Sequence, residues 1–121
     1  MLKRQFVTAD KKIDLNGMTL TSQYQRCTGI AFPHKVKANN ITITLTTQKT
    51  DNVSGSENIT RYTYNDGVVT SESFRLTYGA TMTWNITDGR VMNGFGVFEY
   101  TQRWRATSCS VKFNNVENIY E

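Results

Sequence analysis

The sequence of 121 residues has the length of one domain, and its 12% of aromatic residues argues against a disordered chain. No apolar run approaches the roughly 18 residues that a membrane-spanning helix requires. The net charge of +4 is ordinary for a soluble protein, although residues 1–50 carry eight Lys and Arg against two acids and residues 51–121 carry six against eight. We therefore predict a single non-membrane domain over residues 1–121.

The first residues carry positive charge but lack the pattern of a secretion signal. Lys3 and Arg4 precede Phe6 and Val7, and the apolar run that a signal peptide needs is broken at Thr8. We therefore predict synthesis in the cytoplasm without a signal peptide, which is also the route of a virion component released by lysis.

The first turn is predicted at Asn16-Gly17, because a type I′ hairpin turn needs positive φ at both positions and this dipeptide tolerates it well. A two-residue loop at this point places four apolar residues on one face by pairing Leu15 with Met18 and Ile13 with Leu20.

Two further turns are predicted from glycine that follows aspartate. Asp88-Gly89 predicts a hairpin that pairs Ile86 with Val91. Asn65-Asp66-Gly67 predicts a three-residue loop with a left-handed Gly67, which places Tyr64 opposite Val68.

Between the turns, apolar residues alternate with Thr, Ser and charged residues, which is the pattern of half-buried strands. The alternation is clear in five segments, which begin near Ile41, Phe74, Met82, Phe98 and Cys109. About eight strands at intervals of 8–12 residues predict an all-β fold, either an antiparallel β-sandwich (jelly-roll-like) or a closed barrel. The predicted core consists of Leu45, Phe74, Leu76, Trp84, Ile86, Phe98, Tyr100, Trp104, Val111 and Phe113.

Two segments are predicted as loops. Ala31–Asn39 contains the single proline and the single histidine of the chain, and Thr47–Glu57 is polar and longer than the usual hairpin loop. The last segment, Asn114–Glu121, is compatible with an edge strand or with a free arm.

The sequence offers little material for catalysis. His34 alone cannot form a histidine metal cluster, and Cys27 and Cys109 have no metal-binding spacing. Asp66 and Asp88 are turn formers in the first place. We therefore expect a protein that is not an enzyme and has no cofactor and no metal; whether the two cysteines form a bridge is left open.

These features predict a non-enzymatic binding or assembly module, with a virion-type (bacteriophage or viral) structural protein that contacts other subunits as the first hypothesis. One alternative is a lectin-like, carbohydrate- or protein-binding β-sandwich that uses Trp84 or Trp104. A second alternative is an OB-like barrel for single-stranded nucleic acid, because Arg residues interleave with aromatic residues, for example around Trp104. Arg103 and Arg105 alternate with Trp104, however, so cations and aromatic rings are expected on opposite faces.

Protein subunits are the expected partners, in a homo-oligomer; carbohydrate is possible, nucleic acid is less favoured and no membrane is expected. Sheet edges and flexible polar loops are common contact elements. The residues predicted to bind a partner lie in the basic N-terminal cluster and in the two loops: Lys3, Arg4, His34, Lys35, Lys37, Asn52, Ser54 and Ser56.

Overall fold

A computed structural model describes residues 12–22, 27–50, 52–98 and 103–120. This part of the chain contains no helix and forms seven strands in one antiparallel sheet. The strands are β1 (Thr19–Ser22), β2 (Cys27–Lys49), β3 (Ser56–Asn65), β4 (Val68–Thr77), β5 (Thr81–Ile86), β6 (Arg90–Phe98) and β7 (Trp104–Ile119).

The strand order is β1-β7-β2-β6-β3-β4, and β5 pairs with β2 on a separate branch. The all-β, antiparallel prediction is therefore confirmed. The described strands make a single sheet that does not close, in place of two stacked sheets or a closed barrel of about eight strands.

Strand β2 organises the sheet, because its 23 residues pair with three other strands. Its first half pairs with β6, and this pairing ends where Ala38 lies opposite Arg90. Its second half pairs with β5, and this pairing begins where Ile41 lies opposite Ile86. Strands β5 and β6 therefore follow each other along β2.

The prediction of a hairpin at Asp88-Gly89 is consequently wrong. Ile86 pairs with Ile41 and Val91 with Lys37, so these two residues do not face each other. Gly89 has a φ of 76° and donates a hydrogen bond to the Ala38 carbonyl at 2.9 Å, so the segment stays beside β2 and acts as a bulge.

A turn does form at Asn16-Gly17, where the Met18 amide donates to the Leu15 carbonyl at 2.9 Å. Of these two turn residues only Gly17 has positive φ, so the turn is not type I′. The predicted pairing of Ile13 with Leu20 is also wrong. Leu20 pairs instead with Val111 of β7, whose long edge offers more hydrogen bonds than a short hairpin does.

The third turn is confirmed, with a register that differs by one residue. Asp66 and Gly67 both have positive φ, 49° and 82°, which is the signature of a two-residue type I′ loop. Asn65 therefore pairs with Val68, and Tyr64 pairs with Val69 instead of Val68.

Neither segment predicted as a loop is a loop over its full length. Residues 31–39 belong to β2, so the prediction of a loop there is wrong. At the second segment β2 continues to Lys49 and β3 begins at Ser56, which leaves a connection of residues 50–55. The tail is mostly part of β7, which ends at Ile119.

The buried side chains form one hydrophobic core cluster. Six of the predicted core residues are buried: Leu45, Leu76, Ile86, Trp104, Val111 and Phe113. Phe74 and Trp84 are half-buried against this core, and the side chains of Phe98 and Tyr100 lie outside the described residues.

Cys109 is a buried free thiol in the centre of this core, opposite Leu45. Burial raises its pKa to about 12, and only the thiolate reacts with disulfide reagents. In a Cys27→Ser variant we expect Ellman's reagent to leave the native protein unmodified at mildly alkaline pH and to titrate one thiol after unfolding. Rapid reaction of the folded variant would contradict this placement of Cys109.

Candidate functional site

Strand β2 contains a bulge in the segment where the only proline occurs. Ala31 lies opposite Gly94 and Val36 opposite Met92, so four residues of β2 face Asn93 alone on β6. Proline cannot donate a hydrogen bond within a sheet, and Pro33 falls within this irregular stretch. The bulge explains why a segment with loop-like composition is part of a strand.

The bulge opens a cleft of about 230 Å³ between β2, the β3–β4 turn and the end of β7. Three polar residues meet there. The Lys35 ammonium lies 2.5 Å from Oδ2 of Asp66, and the Asn93 side-chain amide donates to Oδ1 of Asp66 at 2.9 Å. The Asp66 backbone amide donates in turn to Oδ1 of Asn93 at 3.2 Å. Phe32, Pro33, His34 and Ile119 complete the lining.

His34 lies at the wall of this cleft and links it to both ends of the described chain. Its Nε2 lies 2.9 Å from Oδ1 of Asn118, which also accepts a hydrogen bond from the Leu15 amide at 3.1 Å. Because Oδ1 only accepts, Nε2 carries the hydrogen in this contact. The imidazole ring also lies 4.7 Å from the Tyr120 ring, so His34 is held on two sides.

The predicted partner-binding residues that the structure describes do not form one surface. His34 and Lys35 line the cleft, and Lys37 is exposed two residues further along β2. Asn52 and Ser54 are exposed in the connection after the far end of β2, where Asn52 has a φ of 62°. The remaining members of the set are Ser56, half-buried at the start of β3, and Lys3 and Arg4, which lie outside the described residues.

A second polar cluster lies beside the core and joins the β3–β4 hairpin to the bulge between β5 and β6. Arg90 binds Asp88 at 2.7 Å and Glu72 at 3.3 Å, and Arg61 lies 3.4 Å from the same Glu72 oxygen. The hydrogen bond from Arg90 holds the pKa of Glu72 below its ordinary value, and likewise lowers the pKa of Asp88. These carboxylates therefore stay ionised at neutral pH, and their ion pairs hold the β3–β4 hairpin beside the start of β6.

The two tryptophans are packed against protein groups. Trp104 is 1% exposed. The Trp84 ring lies 5.1 Å from Phe74 and 5.8 Å from Phe95, and the Arg61 guanidinium lies 4.8 Å from its centroid. This geometry gives the two tryptophans a role in packing.

The outer edge of β4 is the third feature. Within the part of the chain that the structure describes, β4 pairs with β3 alone, over ten residue pairs. Val68 is 68% exposed and Val69 48% exposed at its start. A long, unpaired edge with exposed apolar residues is a typical site of strand addition.

The hydrogen-bond pattern shows which β4 groups face outward. Residues that flank a two-residue loop exchange both backbone bonds, and bonded and non-bonded pairs then alternate. The pair formed by Tyr78 and Gly55 fits this alternation, since the Tyr78 amide donates to the Gly55 carbonyl at 3.0 Å. The backbone groups of Val69, Ser71 and Ser73 therefore point away from β3.

Neither this edge nor the contacts of Asp66 and Asn93 with Lys35 were identified as functional from the sequence. The dipeptide Asp66-Gly67 predicts the pairing of β4 with β3 but carries no information on the other side of β4. The meeting of Lys35, Asp66 and Asn93 depends on the strand order and has no local signal.

In the described ranges, no cluster of three or more His, Cys, Asp and Glu side chains could hold a metal ion. No helix capable of crossing a membrane was found among the same residues. Comparisons with protein-family models, with curated proteins and with solved structures found no match.

Proposed function

We propose that the protein is a non-enzymatic assembly module that forms homo-oligomers through the outer edge of β4. The observation that supports this most is the outer edge of β4, which has no partner strand within the described ranges and has Val68 and Val69 exposed at its start. Each outward-facing amide of β4 can donate to a carbonyl of a second copy, and each outward-facing carbonyl can accept from one of its amides. A virion-type structural role is one setting for such a module.

Among the described edges, β4 is the best suited to this role. Strand β1 has four residues and β5 has six, whereas β4 has ten. Natural edge strands are usually protected by proline or charge. Along β4 there is no proline, and its two charged residues are Glu72, which is turned inward towards Arg90, and Arg75.

The test is a double substitution, Ser71→Pro and Ser73→Pro, which removes two outward-facing backbone amides. Because neither amide bonds to β3, the fold should keep most of its stability, as proline is tolerated on edge strands. We expect wild-type protein to sediment as an oligomer and the proline variant as a monomer with a similar circular dichroism spectrum.

The matched control is Ser71→Ala with Ser73→Ala, which removes the hydroxyl groups and keeps both amides. This variant should assemble like wild type. A wild-type protein that remains monomeric at high concentration, or a folded proline variant that still assembles, would overturn the proposal.

A further inference from the structure

We propose that the cleft at the β2 bulge binds a small, uncharged polyhydroxylated ligand, of the size of a single sugar ring. The polar groups of the cleft belong to His34, Lys35, Asp66 and Asn93, and Phe32 and Ile119 are among the apolar ones. The proposed assembly does not require this ligand, so this inference is independent of the proposed function.

The volume sets the size of the ligand. Sites for drug-sized molecules measure about 300–1,000 Å³, and this cleft measures about 230 Å³. A monosaccharide fits this space, whereas a longer oligosaccharide has to extend beyond it.

The charges favour a neutral ligand. Lys35 and Asp66 form an ion pair at 2.5 Å, so the two formal charges of the lining cancel. An anion would have to compete with Asp66 for Lys35, and a cation would have to displace Lys35 from Asp66. A neutral ligand can bind without breaking this pair.

The polar groups match hydroxyl chemistry. A hydroxyl group both donates and accepts hydrogen bonds, and the paired side chains of Asp66 and Asn93 present acceptors and a donor side by side. A ligand with neighbouring hydroxyls can therefore contact both, while its apolar C–H face lies against Phe32 or Ile119. The lining thus combines polar side chains with the apolar side chains of Phe32, Pro33 and Ile119.

The experiment is a titration of isotope-labelled protein followed by NMR chemical shifts. The probes are glucose, galactose, mannose and N-acetylglucosamine, with inorganic phosphate and acetate as charged comparisons. We expect at least one sugar to shift the backbone amides of Lys35, Asp66 and Asn93 in a saturable manner, and the two anions to leave these amides unchanged.

Two variants test the assignment of the site. Asp66→Asn keeps a residue suited to the type I′ turn and removes a charged acceptor, so affinity should fall about tenfold or more. Asn93→Ala should have a similar effect, whereas Asn58→Ala, at an exposed position of β3, should have none. The Ser71→Pro, Ser73→Pro variant should bind the sugar like wild type, which separates this inference from the assembly.

The absence of any saturable shift with all four sugars would overturn the proposal. So would a sugar affinity that Asp66→Asn and Asn93→Ala leave unchanged, or cleft shifts that appear with phosphate and not with the sugars.

Discussion

Replacing Trp104 with alanine is expected to lower the free energy of unfolding by about 3–5 kcal/mol. Trp104 is the largest of the fully buried side chains and is 1% exposed. Natural domains are stable by only about 5–15 kcal/mol, so the substitution removes much of the stability or prevents folding. Urea denaturation followed by circular dichroism measures the loss.

The indole N–H of Trp104 is buried and has no hydrogen-bond partner among the described residues. Trp104→Phe removes this unpaired donor and keeps an aromatic ring, so its loss of stability should be clearly smaller than that of Trp104→Ala. Trp84→Ala should also cost less, because Trp84 is only half-buried. Equal, small effects of all three substitutions would contradict the placement of Trp104 in the core.

A loss of stability of about 1–3 kcal/mol is expected for Asn16→Ala. The Val116 amide donates to Oδ1 of Asn16 at 2.7 Å, and the Asn16 side-chain amide donates to the Val116 carbonyl at 3.0 Å. The side chain thus takes the place of a strand residue next to β7. Alanine leaves both backbone groups of Val116 without these partners.

Thermal and urea unfolding of Asn16→Ala can be compared with Asn58→Ala, which alters an exposed asparagine of β3. Exposed substitutions of this kind usually change stability by no more than about 0.5 kcal/mol. If both variants unfold like wild type, the bonds between Asn16 and Val116 do not contribute to the folded state.

The alternation of apolar and polar residues was sufficient to predict most strands and the antiparallel, all-β class. The prediction of strand pairing failed where a local turn signal competed with pairing to a longer strand. Asp88-Gly89 has the composition of a hairpin turn. The chain nevertheless continues along β2, where Val91 pairs with Lys37, because β2 extends past this turn and offers backbone groups for pairing. The turn at Asn16-Gly17 formed, but Leu20 found its partner, Val111, at the opposite end of the sequence.

Two residues of the candidate site, His34 and Lys35, also belong to the set that the sequence predicts to bind a partner. His34 and Lys35 were recognised from their residue types, because a proline, a histidine and two lysines stand close together in the sequence. Their contacts with Asn118 and Asp66 join residues that are far apart along the chain, and these depend on the order of the strands. An open edge is likewise a property of the whole sheet, so no local pattern at β4 could reveal it.

Hydrogen exchange of the β4 amides, measured by NMR at low and at high protein concentration, tests the proposed assembly most directly. The amides of Thr70 and Glu72 face β3 and should exchange slowly at both concentrations. Those of Val69, Ser71 and Ser73 should exchange rapidly in dilute solution and become protected as the protein assembles. Rapid exchange of these three amides in a sample that sedimentation shows to be oligomeric would contradict assembly through this edge.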